Sequence, residues 1–117
     1  MILYIYPKCS TCQKALKFLN EKNISFTFTI RNIKEHPPSL DELEKMLEYQ
    51  EGHVKKLFNT SGELYRQLNL SEKLADLTIS DALNLLNQNG MLVKRPFFIG
   101  HHFGLIGFNE EKWNQAL

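Results

Sequence analysis

The chain contains 117 residues, of which 43% are hydrophobic and 23% are charged, and its net charge is +1. This composition is typical of a folded globular domain, and the near-neutral charge argues against direct binding to nucleic acid or to an anionic membrane. No apolar run approaches the ~20 residues of a membrane span, and the first residues lack a secretory signal pattern. We therefore expect one monomeric, cytoplasmic domain over residues 1–117, in a reducing compartment where paired cysteines are typical of redox or metal chemistry.

The chain begins with a pattern that places two cysteines at the start of a helix. Residues 2–6 form a short strand, Pro7 marks a turn, and the first turn of the following helix carries Cys9 and Cys12. A helix N-terminus offers unpaired N–H groups and the positive end of the helix dipole, which favour a thiolate. Positions i and i+3 lie on one helix face, close enough for a disulfide. Residues 1–20 carry three lysines and no acidic residue, so the pattern predicts thiol chemistry.

A parallel βαβ unit is predicted from the next elements. Apolar residues from Ala15 to Leu19 follow helical spacing, and the polar residues 20–23 end this helix. Residues 24–30 then alternate apolar and polar side chains, which is the period of a strand. A strand, a helix and a second strand in this order predict a parallel crossover.

The middle of the chain, residues 39–89, shows helical patterns and no strand pattern. Residues 39–42 form a capping box that opens one helix, and Thr78 or Ser80 opens another. The block at residues 59–62 is expected to serve mainly as the cap of a helix between them. The side chains expected to face the core are Leu40, Leu43, Met46, Leu47, Leu64, Tyr65, Leu68, Leu77, Ile79, Ala82, Leu83, Leu85 and Leu86.

Strand composition returns towards the C-terminus. Residues 91–99 are predicted as a strand that is interrupted by Pro96. Residues 100–104 are predicted as a hairpin loop and residues 105–108 as the last strand, because short glycine-rich loops between apolar runs favour antiparallel pairing. Asn109 then caps a closing helix.

The order of these elements predicts an α/β fold. It corresponds to a thioredoxin- or glutaredoxin-like core, βαβ…ββα, with an all-helical insertion between strands 2 and 3. The core is expected to span residues 1–35 and 90–117, and the helical insertion residues 39–89.

Four sequence blocks, in order, resemble the arsenate reductase family that is related to glutaredoxin. They are residues 6–15 (Tyr-Pro-Lys-Cys-Ser-Thr-Cys-Gln-Lys-Ala), residues 57–66, residues 90–96 and the Gly107-Phe108 pair before the final helix with Trp113. The family includes the Spx and MgsR regulators, and this chain is most similar to the small branch that shares the Phe-Asn-Thr-Ser-Gly block. The similarity runs essentially from end to end.

The resemblance assigns roles to individual residues. The catalytic cysteine of the reductases falls on Cys9, and Cys12 occupies the position of the second cysteine of the Spx branch. The arginine that contacts the oxyanion falls on Arg95, and the cis proline of the family falls on Pro96. The residues expected to contact the substrate are Lys8, Ser10, Thr11, Asn59 and Pro96.

Two positions depart from the family pattern. The other two arginines that hold arsenate in the reductases fall on Asn59 and near Phe108 in this chain. Because neither residue carries a positive charge, we expect the natural substrate to be something other than arsenate.

Each candidate residue has a structural alternative. Cys9 is either a redox-active thiolate or an inert buried thiol, and Cys12 is either a resolving thiol or a small packing residue. Arg95 is either a clamp for an anion or a strand-end residue held in a salt bridge. No metal site is expected, because the two cysteines and four histidines lack the spacing of zinc ligands.

Two functions follow from the resemblance. In the first, the protein is a thiol–disulfide oxidoreductase in which Cys9 attacks a small oxyanion or disulfide substrate and Cys12 or glutathione resolves the intermediate. It needs no bound cofactor, and its electron donor would be glutathione, glutaredoxin or thioredoxin. In the second, the protein is a regulator resembling Spx, which binds the C-terminal domain of the RNA polymerase α subunit, with Cys9 and Cys12 as a redox switch. Gly52 lies near the stretch that makes this contact in Spx.

Overall fold

A four-stranded mixed sheet forms the centre of the protein in the computed structural model, which describes residues 1–24 and 28–117. The strand order is β2-β1-β3-β4, with β1 parallel to β2 and the other two pairs antiparallel. The strands are β1 (Ile2–Ile5), β2 (Thr29–Asn32), β3 (Phe97–Ile99) and β4 (Gly104–Ile106). The helices are α1 (Ser10–Glu21), α2 (Leu40–Tyr49), α3 (Glu63–Gln67), α4 (Leu70–Lys73), α5 (Ile79–Gln88) and α6 (Glu110–Ala116).

The two faces of the sheet pack against different helices. Alternate residues of a strand point to opposite faces, so neighbouring residues of β1 belong to separate apolar clusters. Tyr4 and Phe97 join the cluster formed with the helical insertion, whereas Leu3 and Phe98 join the cluster formed with α1 and α6. This arrangement confirms the predicted βαβ…ββα core with its insertion between strands 2 and 3.

The predicted capping box is present and also ties the insertion to the sheet. The Ser39 hydroxyl accepts a hydrogen bond from the Glu42 N–H at 3.2 Å, and Glu42 Oε1 accepts one from the Ser39 N–H at 2.9 Å. The hydroxyl of buried Tyr4 donates to the same Glu42 oxygen at 2.7 Å. The Thr78 and Asn109 side chains cap α5 and α6, as their positions predicted.

The insertion over residues 39–89, all of which the structure describes, contains helices and no strand. Its connections include 3-10 turns at Val54–Leu57 and Leu74–Asp76. None of the helices in the described part of the chain has the length and apolar character needed to cross a bilayer.

Three residues that were expected in the core are exposed. Leu40 is 40% exposed, Leu68 is 38% exposed and Ile79 is 47% exposed. Leu40 and Ile79 are the first residues of α2 and α5, where the side chain tilts towards the helix N-terminus and so points beyond the packed turn. Leu68 follows the last residue of the five-residue helix α3, outside its buried face.

The predicted strand over residues 91–99 was wrong in its first half. Gly90–Leu92 forms a 3-10 turn instead, and Val93 makes an isolated bridge to Phe58. Ladder pairing begins after Pro96, because proline has no N–H to donate to a neighbouring strand.

The boundaries of two other strands also differ from the prediction. Part of the predicted strand 24–30, residues 25–27, lies outside the described residues; within them, β2 runs from Thr29 to Asn32. Its extent follows the register with β1, in which Ile2 pairs with Thr29 and Ile5 with Asn32. The last strand ends at Ile106 rather than residue 108, because Gly107 adopts a left-handed backbone with φ of +67°.

The predicted block at residues 59–62 does contain the cap of α3, but in a different form from a side-chain cap. The N-cap of α3 is Gly62, and no side chain of the block caps this helix. Asn59 instead uses its backbone, donating its N–H to the Leu92 carbonyl at 2.7 Å and accepting from the Gly62 N–H at 3.0 Å. The block is therefore a turn that links the insertion to the segment before β3.

Candidate active site around Cys9

Cys9 is the N-cap residue of α1, at the carboxyl end of β1. Its extended backbone, with φ of −91° and ψ of 118°, ends the turn that begins at Tyr6, whose carbonyl accepts the Cys9 N–H at 3.0 Å. The backbone N–H groups of Thr11 and Cys12 act on this thiol and lower its pKa. No carboxylate lies in the first turn of the helix, so these donors face the half-buried sulfur without a competing negative charge.

The environment lowers the pKa of Cys9 from its ordinary value. Partial burial acts to raise the pKa, but hydrogen bonds from the Cys12 N–H and thiol outweigh it, together with the positive charge of Arg95 and the Thr11 N–H. A lowered pKa increases the thiolate fraction near neutral pH, and the thiolate is the nucleophilic form of cysteine.

Cys12 has the opposite character. Its side chain is 0% exposed in the cluster beneath α1. Burial raises the pKa of the Cys12 thiol to about 12; the Tyr6 N–H opposes this effect, and the hydrogen bond and negative charge of Cys9 add to it. Cys12 is therefore the protonated thiol of the pair, and both cysteines are free thiols.

Arg95 is held next to Cys9 by backbone carbonyls. Its Nη1 donates to Met91 O at 3.2 Å and to Val93 O at 3.4 Å, and its guanidinium carbon lies 5.4 Å from the centre of the Tyr6 ring. Its Nε is buried and has no hydrogen-bond partner among the described residues. These contacts fix the positive charge near the thiolate, and the bond to the following Pro96 is cis.

A cleft of about 530 Å³ opens beside Cys9. Four of the predicted site residues line it: Cys9, Thr11, Asn59 and Arg95. The other four do not; Cys12 and Pro96 are buried, whereas Lys8 and Ser10 are exposed. The volume of the cleft is in the range of pockets that hold a small organic molecule. It is several times the volume of an inorganic oxyanion.

Sequence reasoning missed two cations in this cleft. Lys94 and Lys112 line it together with Ser61 and Asn109. Lys94 directly precedes Arg95 in one of the blocks described above, which was a signal for its position. Lys112 belongs to the last helix, and only the fold brings this helix to the cleft.

Trp113 holds the part of the cleft wall formed by Gly107 and Phe108. Its indole Nε1 donates to the Gly107 carbonyl at 3.1 Å, and the Gly107 N–H donates to the Pro96 carbonyl at 2.9 Å. The neighbouring Phe108 packs edge-on against Trp113, with 5.2 Å between ring centres, and against Phe18. Part of the cleft is thus held by buried contacts to α1 and α6.

The described residues contain no group of three or more His, Cys, Asp or Glu side chains placed to hold a metal ion.

Comparison with protein-family models agrees with the resemblance carried by the sequence blocks. The model of the ArsC family matches residues 4–116. The chain belongs to the ArsC family. Among its relatives, the uncharacterised protein YusI of Bacillus subtilis is 41% identical over 115 residues, which cover 98% of this chain and 96% of YusI. The global transcriptional regulator Spx of Streptococcus mutans is 32% identical over 110 residues, covering 94% of this chain and 77% of Spx.

Solved structures confirm the fold of this ArsC-family chain. The crystal structure of an ArsC-family-related protein from Bacteroides fragilis superposes with a TM-score of 0.91 and is 43% identical in sequence. The match covers 99% of this chain and 96% of that protein. The fold is therefore thioredoxin-like, as predicted.

Proposed function

We propose that this ArsC-family protein is a thiol–disulfide oxidoreductase in which Cys9 is the nucleophile and Cys12 the resolving thiol. The observation that carries the proposal is the placement of the two thiols: Cys9 lines a cleft beside Arg95 at the start of α1, and Cys12 is buried in the first turn of the same helix. The pKa values of the two thiols are shifted in opposite directions. The lowered pKa of Cys9 suits this thiol to attack the substrate, whereas the raised pKa of Cys12 keeps that thiol protonated until the second step. The protein would act as a cytoplasmic monomer, where reducing conditions return the dithiol form.

The proposed first step is attack by the Cys9 thiolate on one sulfur of a substrate disulfide. A bond forms between Cys9 and that sulfur, while the second substrate sulfur leaves as a thiolate and takes a proton. Arg95 would stabilise negative charge as it moves between the sulfurs. In the second step, Cys12 gives up its proton and attacks the Cys9 sulfur, which releases the remaining substrate thiolate. Two electrons pass to the substrate, and the enzyme keeps a disulfide.

The raised pKa of Cys12 would make this second step conditional on the first. Burial is the largest cause of the raised pKa, and the thiolate of Cys9 contributes further to it. Once Cys9 is bonded to substrate, its negative charge is gone and this contribution disappears. Cys12 would therefore become easier to deprotonate only when there is a mixed disulfide to resolve.

The residues that line the cleft support a disulfide rather than arsenate as the substrate. Asn59 lines the cleft without a charge, and Phe108 supplies an aromatic ring where the resemblance led us to look for an arginine. Lys94 and Lys112 add positive charge, but a lysine lacks the planar, bidentate fork with which arginine binds an oxyanion. Glutathione, glutaredoxin or thioredoxin would reduce the enzyme disulfide and complete the cycle.

A dithiol-exchange assay tests this proposal. With glutathione as the only reductant, the purified protein should reduce bis(hydroxyethyl) disulfide faster than glutathione alone does, and this added rate should be lost in Cys9→Ser. Cys12→Ser should instead accumulate the mixed disulfide on Cys9, visible by intact mass. Wild-type turnover that survives in Cys9→Ser would overturn the proposal. Arsenate reduction measured in parallel should be slow or absent, and rapid arsenate turnover would overturn the choice of substrate.

A second candidate function is redox-responsive regulation. It is favoured by the Spx relatives, whose matches cover nearly the whole of this chain. In this proposal, a disulfide between Cys9 and Cys12 would alter a surface that binds the C-terminal domain of the RNA polymerase α subunit. A pull-down with that domain, using dithiol and oxidised protein, tests it; absence of binding in both states would eliminate the regulator.

A further inference from the structure

Three neighbouring clefts surround the Cys9 side of the molecule, and lysines join them. Lys94 lines both the Cys9 cleft and a groove of about 350 Å³ along the Val54–Leu57 turn. Lys112 lines both the Cys9 cleft and a third cleft of about 230 Å³ beneath α6. Lys56 lines this third cleft and the groove, so each pair of clefts shares one lysine. The three clefts therefore adjoin one another, and Cys9 lines the one of about 530 Å³.

Positive charge is concentrated on this surface. The residues that we call the basic rim are Lys55, Lys56, Lys94, Arg95 and Lys112. Glu51 is the one carboxylate among the described residues that line the three clefts. The whole chain has 14 Lys and Arg against 13 Asp and Glu, so the remainder of the protein is net negative.

The cations of the basic rim are not neutralised within the protein. The ion pair found among the described residues joins Lys17 to Glu21, two exposed side chains of α1 that are not part of the rim. None of the rim side chains pairs with a carboxylate there. Unpaired cations around a cleft raise the local concentration of negatively charged ligands and accelerate their association.

We propose that the basic rim is a docking surface for an acidic polypeptide segment that carries the disulfide attacked by Cys9. This inference rests on the proposed oxidoreductase function and specifies its substrate as a protein. A small disulfide would occupy the Cys9 cleft alone, whereas the rim extends along a turn, the segment before β3 and the last helix. A nucleic acid would match the charge but carries no disulfide sulfur for Cys9 to attack.

The chemical step on such a partner is the exchange described above. Cys9 bonds to one sulfur of the partner disulfide and the other sulfur leaves as a thiolate. Cys12 then bonds to Cys9 and releases the partner as a dithiol. The partner gains two electrons and two protons, and the protein loses them until an external dithiol reduces it.

Activated peptides provide a direct test. Three peptides of equal length would each carry one cysteine as a mixed disulfide with thionitrobenzoate, flanked by glutamates, by lysines or by serines. Attack by Cys9 on the peptide sulfur releases thionitrobenzoate, which is followed by its colour. At low salt the acidic peptide should react at least about tenfold faster than the basic peptide. The difference should collapse at 1 M salt, where the Debye length is about 3 Å.

Charge-reversal variants locate the effect. A triple variant with Lys56→Glu, Lys94→Glu and Lys112→Glu should abolish or invert the preference for the acidic peptide. This preference is the ratio of the acidic-peptide rate to the basic-peptide rate, so it does not depend on the absolute rate. The matched control combines Lys34→Glu, Lys45→Glu and Lys73→Glu, which change the net charge equally on exposed residues outside the rim, and should keep the preference. If the combined variant does not fold, the three single variants can be measured instead. Each should reduce the ratio of the acidic-peptide rate to the basic-peptide rate.

The outcomes separate the two proposals. If the serine peptide reacts but the acidic and basic peptides react equally at low salt, the docking surface is wrong and the redox function stands. Loss of preference in the control variant as well as the rim variant would also overturn it. If a glutathione–thionitrobenzoate disulfide reacts as fast as the acidic peptide, the rim binds small anionic thiols and the polypeptide is wrong. If none of the disulfides reacts, the proposed function itself fails.

Discussion

The opposite environments of the two cysteines predict strongly selective alkylation. The pKa of Cys12 is raised from an ordinary value of 9.0 to about 12. Because only the thiolate reacts, a rise of about three units reduces the reactive fraction of Cys12 about 1,000-fold relative to an ordinary thiol at any pH well below 9. Burial at 0% exposure slows the approach of a reagent further. The lowered pKa of Cys9 acts in the opposite direction.

The assay is alkylation with iodoacetamide at pH 7, followed by peptide mass spectrometry. Native protein should gain one label, on Cys9, and denatured protein should gain two. In Cys9→Ser, Cys12 loses the contribution of Cys9 to its raised pKa, but burial, the largest cause, remains. Its labelling should stay far below that of free glutathione and increase with pH. Labelling of Cys12 at the glutathione rate in the native protein would refute the assignment of roles.

Three further predictions concern the packing that supports the site. Gly90→Ala places a Cβ 1.8 Å from the Ile33 carbonyl oxygen, so unfolding free energy in urea should fall by about 3 kcal/mol or more; an unchanged midpoint would contradict this contact. Trp113→Phe leaves the Gly107 carbonyl without its donor and should cost about 2 kcal/mol, with slower disulfide exchange; unaltered exchange would show that this wall is dispensable. Thr78→Ala should cost about 1 kcal/mol by thermal melting, whereas Thr78→Ser should cost little.

Local signals in the sequence were sufficient for the elements that position Cys9. The run before Pro7 and the helical spacing after Cys9 depend on contacts near in sequence, so β1 and α1 were predicted close to their observed bounds. The capping box at residues 39–42 is also local, and its hydrogen bonds were predicted from two side chains three residues apart.

Features that depend on distant partners were not predictable in the same way. The extent of β2 follows its pairing with β1, and the exposure of Leu40 and Ile79 depends on which elements reach the ends of their helices. The same holds for the site: Lys112 is about a hundred residues from Cys9 in sequence and enters the cleft only through the packing of α6. No periodicity or motif within one segment predicts a contact between residues that lie so far apart in sequence.

The most direct measurement of the central claim is the intact mass of the protein after oxidation by one equivalent of a neutral disulfide. The expected result is a loss of two hydrogens, which maps to a bond between Cys9 and Cys12 and is reversed by dithiothreitol. Neither Cys9→Ser nor Cys12→Ser should show this loss. If the wild-type protein accumulates a stable adduct on Cys9 or remains unmodified, the two thiols do not act together and the account is contradicted.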